Sequence, residues 1–386
     1  MSSQYYHLAL KRWPFPVVPK SEFCTFIADR QQLRSDVADL ITALSRRETS
    51  SIHLFWAWFG AGKTHTLFYL ANQAAAISKL RARNILYTVY SEFPKAARSF
   101  LDLYRAFVNK LDIDFLTEPF LEIYTCKDSD RLVRDMKLAS PDLTNALQVM
   151  AIGKSQDQVT AMRWLRAESL PISEFRKAGI SRKINSVEEA IRILTALIEL
   201  LNVAARCQGH PGCRVMWMLD EFQRIEQTAS RIRDEINTGL HSTFNACPNG
   251  LSLFLSFSGK PQSNSLPPWF SRELRDRIGR TKAIILPPML PQEALGFVRD
   301  ILTQLRVPEL AQLSPYFPFN EEACKAIIDE VQKKDELKPR AIMHAFNAVL
   351  QEADPQIEAK AMDVISPEFA KKVLSEYIVF RDDEEI

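Results

Sequence analysis

Ala57-Trp58-Phe59-Gly60-Ala61-Gly62-Lys63-Thr64 is the stretch on which the reading of this 386-residue chain turns. It follows an apolar run, Ile52 to Trp58, that predicts a buried strand, and it precedes a predicted helix from Thr64 to Ser78. Glycines at 60 and 62 let the chain turn so that consecutive backbone N–H groups converge on a triphosphate at the helix N-terminus. In that arrangement Gly60, Ala61, Gly62, Lys63, Thr64 and His65 line the nucleotide. The Lys63 ammonium reaches the β and γ phosphates of ATP, and the Thr64 hydroxyl holds Mg²⁺. Ala57 replaces the first glycine of the pattern, which costs little if φ stays negative, because that residue only begins the turn.

Binding phosphate is not hydrolysis, and the second half of such a site is Val215-Met216-Trp217-Met218-Leu219-Asp220-Glu221. Five apolar residues predict a strand covered on both faces of a parallel sheet, with two carboxylates at the carboxyl end where open α/β sheets bind ligands. Asp220 is the metal-side carboxylate. Glu221 is placed to polarise the attacking water, since phosphoryl transfer depends on positioning and charge stabilisation.

Outward from these two strands, the pattern alternates strand and helix. An amphipathic helix is predicted over Ala28 to Arg46, a strand over Asn84 to Tyr90, and a helix opened by the capping box Ser186-Val187-Glu188-Glu189. A helix from Arg231 to Phe244, a strand from Leu251 to Phe257, a short helix from Trp269 to Ile278 and a strand from Lys282 to Leu286 follow. From Pro291 strands vanish, and four helices are predicted over Glu293 to Leu305, Glu321 to Lys333, Pro339 to Glu352 and Pro367 to Tyr377. The fold class is therefore α/β, a P-loop NTPase αβα sandwich with a parallel sheet plus a C-terminal helical lid. The expected domains are a nucleotide-binding domain over 1–290 and a lid over 291–386 ending in an acidic tail, Arg381 to Ile386.

A hydrophobic content of 46% is ample for a core, and a net charge of +2 gives no general electrostatic attraction to nucleic acid. Six cysteines without regular spacing, a start that lacks a signal-peptide core and no stretch of membrane-spanning length point to the cytoplasm. Cys207, His210 and Cys213 offer three ligands for zinc, but a structural site takes four and no fourth stands near. That segment reads as a Gly/Pro-rich loop.

With the phosphate loop, the Asp220-Glu221 strand and this element order, the chain resembles the AAA+ ATPases. Within them it is similar to the initiator-like branch of origin-recognition proteins, transposition-regulator ATPases and secretion-pathway relatives. Trp13-Pro14-Phe15-Pro16 and Phe26-Ile27-Ala28-Asp29-Arg30-Gln31-Gln32-Leu33 resemble two segments that lie beside the adenine in that branch, with Asp29 where glycine is more usual. The resemblance implies that Val17, Val18 and Ile27 flank the base. It implies a polar sensor at the end of the Leu251 strand, Ser256 or Ser258, with Ser258 nearer the site mouth. It also implies an arginine entering a neighbouring subunit's site, best matched by Arg277, with Arg272 and Arg280 as alternates. Finally, Lys338-Pro339-Arg340 resembles the lid segment whose arginine, here Arg340, reaches the bound nucleotide.

Two departures qualify the resemblance. Lys63 and Asp220 lie much farther apart than the ~30 residues of a strand-helix-strand unit, and the surplus, about 112–183, is mostly helical in pattern. It either serves a partner or elaborates the core. The length after Arg340 is expected to leave no room for a DNA-reading module beyond the lid, so any DNA contact would come from the ring interior or the surplus region, by phosphate neutralisation and not base reading. The implied function is an Mg²⁺-dependent ATPase, a homo-oligomer whose nucleotide state controls a partner protein, in a mobile-element or phage-defence setting. The alternative is a scaffold that holds ATP and displays a surface for an effector such as a nuclease.

Overall fold

The computed structural model describes residues 4–16, 18, 20–80, 86–126, 140–209, 212–259, 266–278 and 283–376. In chain order its main elements are α1 Gln31–Arg46, β1 Ser51–Ala57, α2 Lys63–Leu80, β2 Leu86–Glu92, α3 Phe100–Val108, α4 Ile113–Thr125, α5 Pro141–Ile152, α6 Ser155–Leu165, α7 Ile172–Arg176 and α8 Val187–Cys207. Then come β3 Arg214–Asp220, α9 Ser230–Ala246, β4 Leu251–Ser258, α10 Arg272–Ile278, β5 Ile284–Leu286, α11 Pro291–Gln304, α12 Glu321–Lys334, α13 Pro339–Glu358 and α14 Pro367–Glu376.

The strands form one five-stranded sheet in the order β2-β3-β4-β1-β5, and β1–β4, β3–β4 and β2–β3 run parallel. Every residue of β3 and β4 is buried, which explains why both read as continuous apolar runs and not as alternating ones. β2 runs two residues past its expected end at Tyr90, because Glu92 pairs with Asp220 and the Phe93 N–H donates to the Asp220 carbonyl.

Compactness divides the chain into residues 1–38, 58–69 and 286–386 in one unit and 39–57 and 70–285 in the other. This differs from a contiguous boundary near residue 290. In the first unit Leu8, Leu10 and Phe15 share a core with Val298, Ile327, Phe346 and Leu374 of the C-terminal helices. Trp13 seals that join by donating its indole N–H to Asn347. The phosphate loop therefore belongs to the same compact unit as the expected lid.

In the second unit the surplus region is built into the sheet's own core. Phe120, Leu147 and Trp164 are buried in the cluster that contains Trp217, and the Trp164 indole donates to the Arg182 carbonyl. Residues 127–139 of that region lie outside the described residues. The cap on α8 forms one residue off the expected box: Ser186 Oγ accepts from the Glu189 N–H, while the Glu189 carboxylate takes the N–H of Asn185. Among the described residues no helix is long and apolar enough to cross a membrane.

Candidate nucleotide site

The loop leaves β1 with Ala57 still in the strand, so the missing first glycine is tolerated by ordinary extended backbone. Gly60 and Gly62 take φ of +74° and +95°, a region that disfavours any residue with a Cβ. A Cβ on Gly60 would also stand 2.9 Å from the Arg340 Cβ. α2 then starts at Lys63, with its first-turn N–H groups at the loop as an anion site requires. Lys63 is buried, and its ammonium donates to the Trp58 carbonyl at 3.0 Å, folded over its own loop. Thr64 is half-buried beside it.

Three contacts hold this loop. Arg30 donates to the Ala61 carbonyl at 3.4 Å and to the Pro287 carbonyl at 2.9 Å. The Arg340 N–H, in the first turn of α13, donates to the Gly60 carbonyl at 3.1 Å. The Lys338 ammonium lies 5.9 Å from the Trp58 ring centroid. The Arg340 side chain is exposed, and its position in an unbalanced first helical turn is favourable only with an anion near.

The His65 imidazole Nε2 meets the Phe26 carbonyl at 2.8 Å, and burial pushes its pKa down. Ile27 is buried and Val18 is 68% exposed, while Val17 lies outside the described residues. Asp29 takes φ +39°, a conformation that glycine adopts freely and Asp tolerates better than most residues. Its N–H donates to the Asp300 carboxylate, and burial followed by that neighbouring charge raises its pKa.

The second set of candidate residues stands at the carboxyl end of β3. Asp220 is fully buried and accepts from the Tyr90 hydroxyl at 3.1 Å; burial, with the Asp220 charge next, raises the Tyr90 pKa far above its usual value. Glu221 adopts φ +58°, ψ +32°, left-handed backbone that costs a non-glycine residue about 1–2 kcal/mol. Its Oε2 accepts from Gln223 Nε2 at 2.9 Å and lies 3.5 Å from Arg224. Arg224 is itself fixed by the Phe93 carbonyl at 2.8 Å and Glu92 at 3.2 Å. Neither Gln223, Arg224 nor Tyr90 was expected from sequence; the only signal was the closeness of the first two to Glu221.

On β4, the ladder to β3 ends at Leu219↔Leu255, so Asp220 and Ser256 follow it directly. Ser256 Oγ is buried without a hydrogen-bond partner among the described residues. Ser258 pairs with Ala57, the residue before the phosphate loop, and its N–H donates to Gln223. Arg277 is exposed on α10 and donates to Asn245 at 3.0 Å; Arg272 is exposed at the start of that helix, and Arg280 lies outside the described residues. Burial pushes the Cys213 thiol up to about 12; His210 lies outside the described residues.

No protein-family model matches the chain, and no curated protein matches it in sequence. Solved structures do. The ORC1 protein of Aeropyrum pernix, solved in complex with DNA, aligns with a TM-score of 0.54 at 11% identity, covering 95% of this chain and 69% of that one. The ORC2 protein of the same organism, solved as ADPNP-ADP complexes, aligns with a TM-score of 0.51 at 14% identity, covering 92% and 71%. The chain therefore shares its fold, a parallel sheet covered by helices with a further helical region, with these two ORC proteins.

Proposed function

We propose that this chain is an Mg²⁺-dependent ATPase whose nucleotide state switches its self-association and its hold on a partner protein. The observation that carries the reading is the seat of α13 on the phosphate loop, through Arg340 N–H to the Gly60 carbonyl. A phosphate bound in that loop is felt at once by the helix carrying Arg340. The residues fit such a ligand: two glycines with positive φ, a helix N-terminus and a lysine at hand.

Bound Mg²⁺ and ATP supply the electrophilic phosphoryl group. With that ligand bound, Lys63 and the loop N–H groups would orient the phosphates, Thr64 and Asp220 would hold the metal, Glu221 would accept a proton from water, and Ser258 and Arg340 would attend the γ phosphate. Arg277 is exposed, as a residue serving a neighbouring copy must be. DNA belongs to the same proposal as a sequence-independent ligand of local basic groups, because a chain charge of +2 gives no general attraction; a structural neighbour was solved in complex with DNA. A mobile-element or phage-defence setting belongs to the same proposal and rests on resemblance alone.

The test is sizing of the protein with ADP, with a nonhydrolysable ATP analogue, and of Glu221→Gln with ATP. The expected result is one size with ADP and a larger species in the other two, with turnover of the variant down about 100-fold or more. One size throughout overturns the switch. A parent without turnover, with DNA present, leaves the ATP-holding scaffold.

A further inference from the structure

We infer that Gln223 is the positioning residue for Glu221, acting as a bridge from the end of β4 to the carboxylate at the end of β3; as a catalytic role this rests on the hydrolysis proposed above. Both ends of its amide are in use. Oε1 accepts from the Ser258 N–H at 2.9 Å, and Nε2 donates to Glu221 Oε2 at 2.9 Å. The orientation follows from chemistry, because a backbone N–H can only donate and an ionised carboxylate can only accept.

The consequence for Glu221 is selective. Gln223 and, at 3.5 Å, Arg224 both address Oε2, while Oε1 has no hydrogen-bond partner among the described residues. One oxygen is thus tethered and the other is left to accept a proton from water. The tether matters here because Glu221 sits in left-handed backbone, outside the β3 ladder that would otherwise fix its direction. Ser258, at the far end of the bridge, is the last residue of β4. A displacement of that strand end is therefore passed to the Glu221 carboxylate through one side chain.

Residue chemistry gives a discriminating test. Asn is one methylene too short to span the two ends. Glu keeps an acceptor for Ser258 but loses the donor to Glu221 and adds a like charge. ATP turnover and amide hydrogen exchange at Ser258, followed by NMR, are measured in the parent, Gln223→Glu and Gln223→Ala. In Gln223→Glu, kcat falls about tenfold with KM within about twofold, and Ser258 keeps its protection, since positioning acts on the chemical step and not on binding. In Gln223→Ala, kcat falls by a similar factor and Ser258 exchange rises about tenfold or more.

An active parent matched within about twofold in kcat by Gln223→Ala, or Ser258 exchange unchanged in that variant, overturns the inference. A parent without turnover sinks the hydrolase reading instead, and Ser258 exchange alone then decides whether the bridge exists.

Discussion

The two ends of one face of the β1-β4-β3 sheet are both polar, and they are built on opposite plans. Alternation puts Ser51 and His53, Ser252, Ser256 and Ser258, and Arg214 and Asp220 on the same side of their strands. At the amino end Arg214 is 3% exposed, with its guanidinium donating to the carbonyls of Leu44, Arg47 and Thr49 and to Ser252 Oγ. Ser252 continues to Ser51, and Ser51 to His53, whose ring stacks on Phe254. Burial, then the Arg214 and Arg47 charges, hold the His53 pKa at about 4, so that ring is neutral at pH 7. At the carboxyl end Ser256 Oγ has no partner among the described residues, and Glu221 stands in strained backbone. Polar groups at the first end close the carboxyl terminus of α1 and serve stability. At the second, the Ser256 hydroxyl alone is left without a partner among the described residues, which fits a place kept for a ligand.

Breaking the first end should show most. Arg214→Met removes the donor from the carbonyls of Leu44, Arg47 and Thr49, the first of them on a buried residue, and a loss of about 3 kcal/mol is expected in denaturant unfolding. Nucleotide affinity per folded molecule stays within about twofold, because the change lies at the opposite end of the strand from Asp220. A variant as stable as the parent would erase the distinction between the ends.

A smaller contrast is available within β4. Ser252→Ala removes an acceptor of Arg214 and a partner of Ser51, and costs about 1–2 kcal/mol. Ser256→Ala deletes a buried hydroxyl that bonds to nothing among the described residues, so stability is unchanged or rises by up to about 1 kcal/mol. Equal losses in the two melts would mean that Ser256 is held by something at rest, and that the carboxyl end is as closed as the other.

The two candidate motifs were legible in the sequence because each sits on a long apolar run broken by residues of unmistakable chemistry. Phosphate loops need glycine at positive φ, and Gly60 and Gly62 supply it. Three features escaped. The grouping of Leu8, Leu10 and Phe15 with the C-terminal helices depends on packing across most of the chain, and no local period encodes it. The left-handed backbone of Glu221 leaves no trace in composition. Gln223 is an ordinary polar residue whose role comes only from the register that brings Ser258 to it. The described residues of the surplus region form helices, and their apolar positions pack into the sheet's core through residues such as Trp164, in a long-range contact that periodicity does not specify.

The central proposal is that Lys63 serves the phosphates of ATP and Asp220 its magnesium. Calorimetric titration of ATP with and without Mg²⁺ into the parent, Lys63→Ala and Asp220→Asn tests it most directly. The account predicts Mg²⁺-enhanced binding in the parent, affinity lowered about 100-fold in Lys63→Ala, and binding in Asp220→Asn that no longer responds to Mg²⁺. No heat from the parent, or an Asp220→Asn protein whose binding keeps its full response to Mg²⁺, would contradict it.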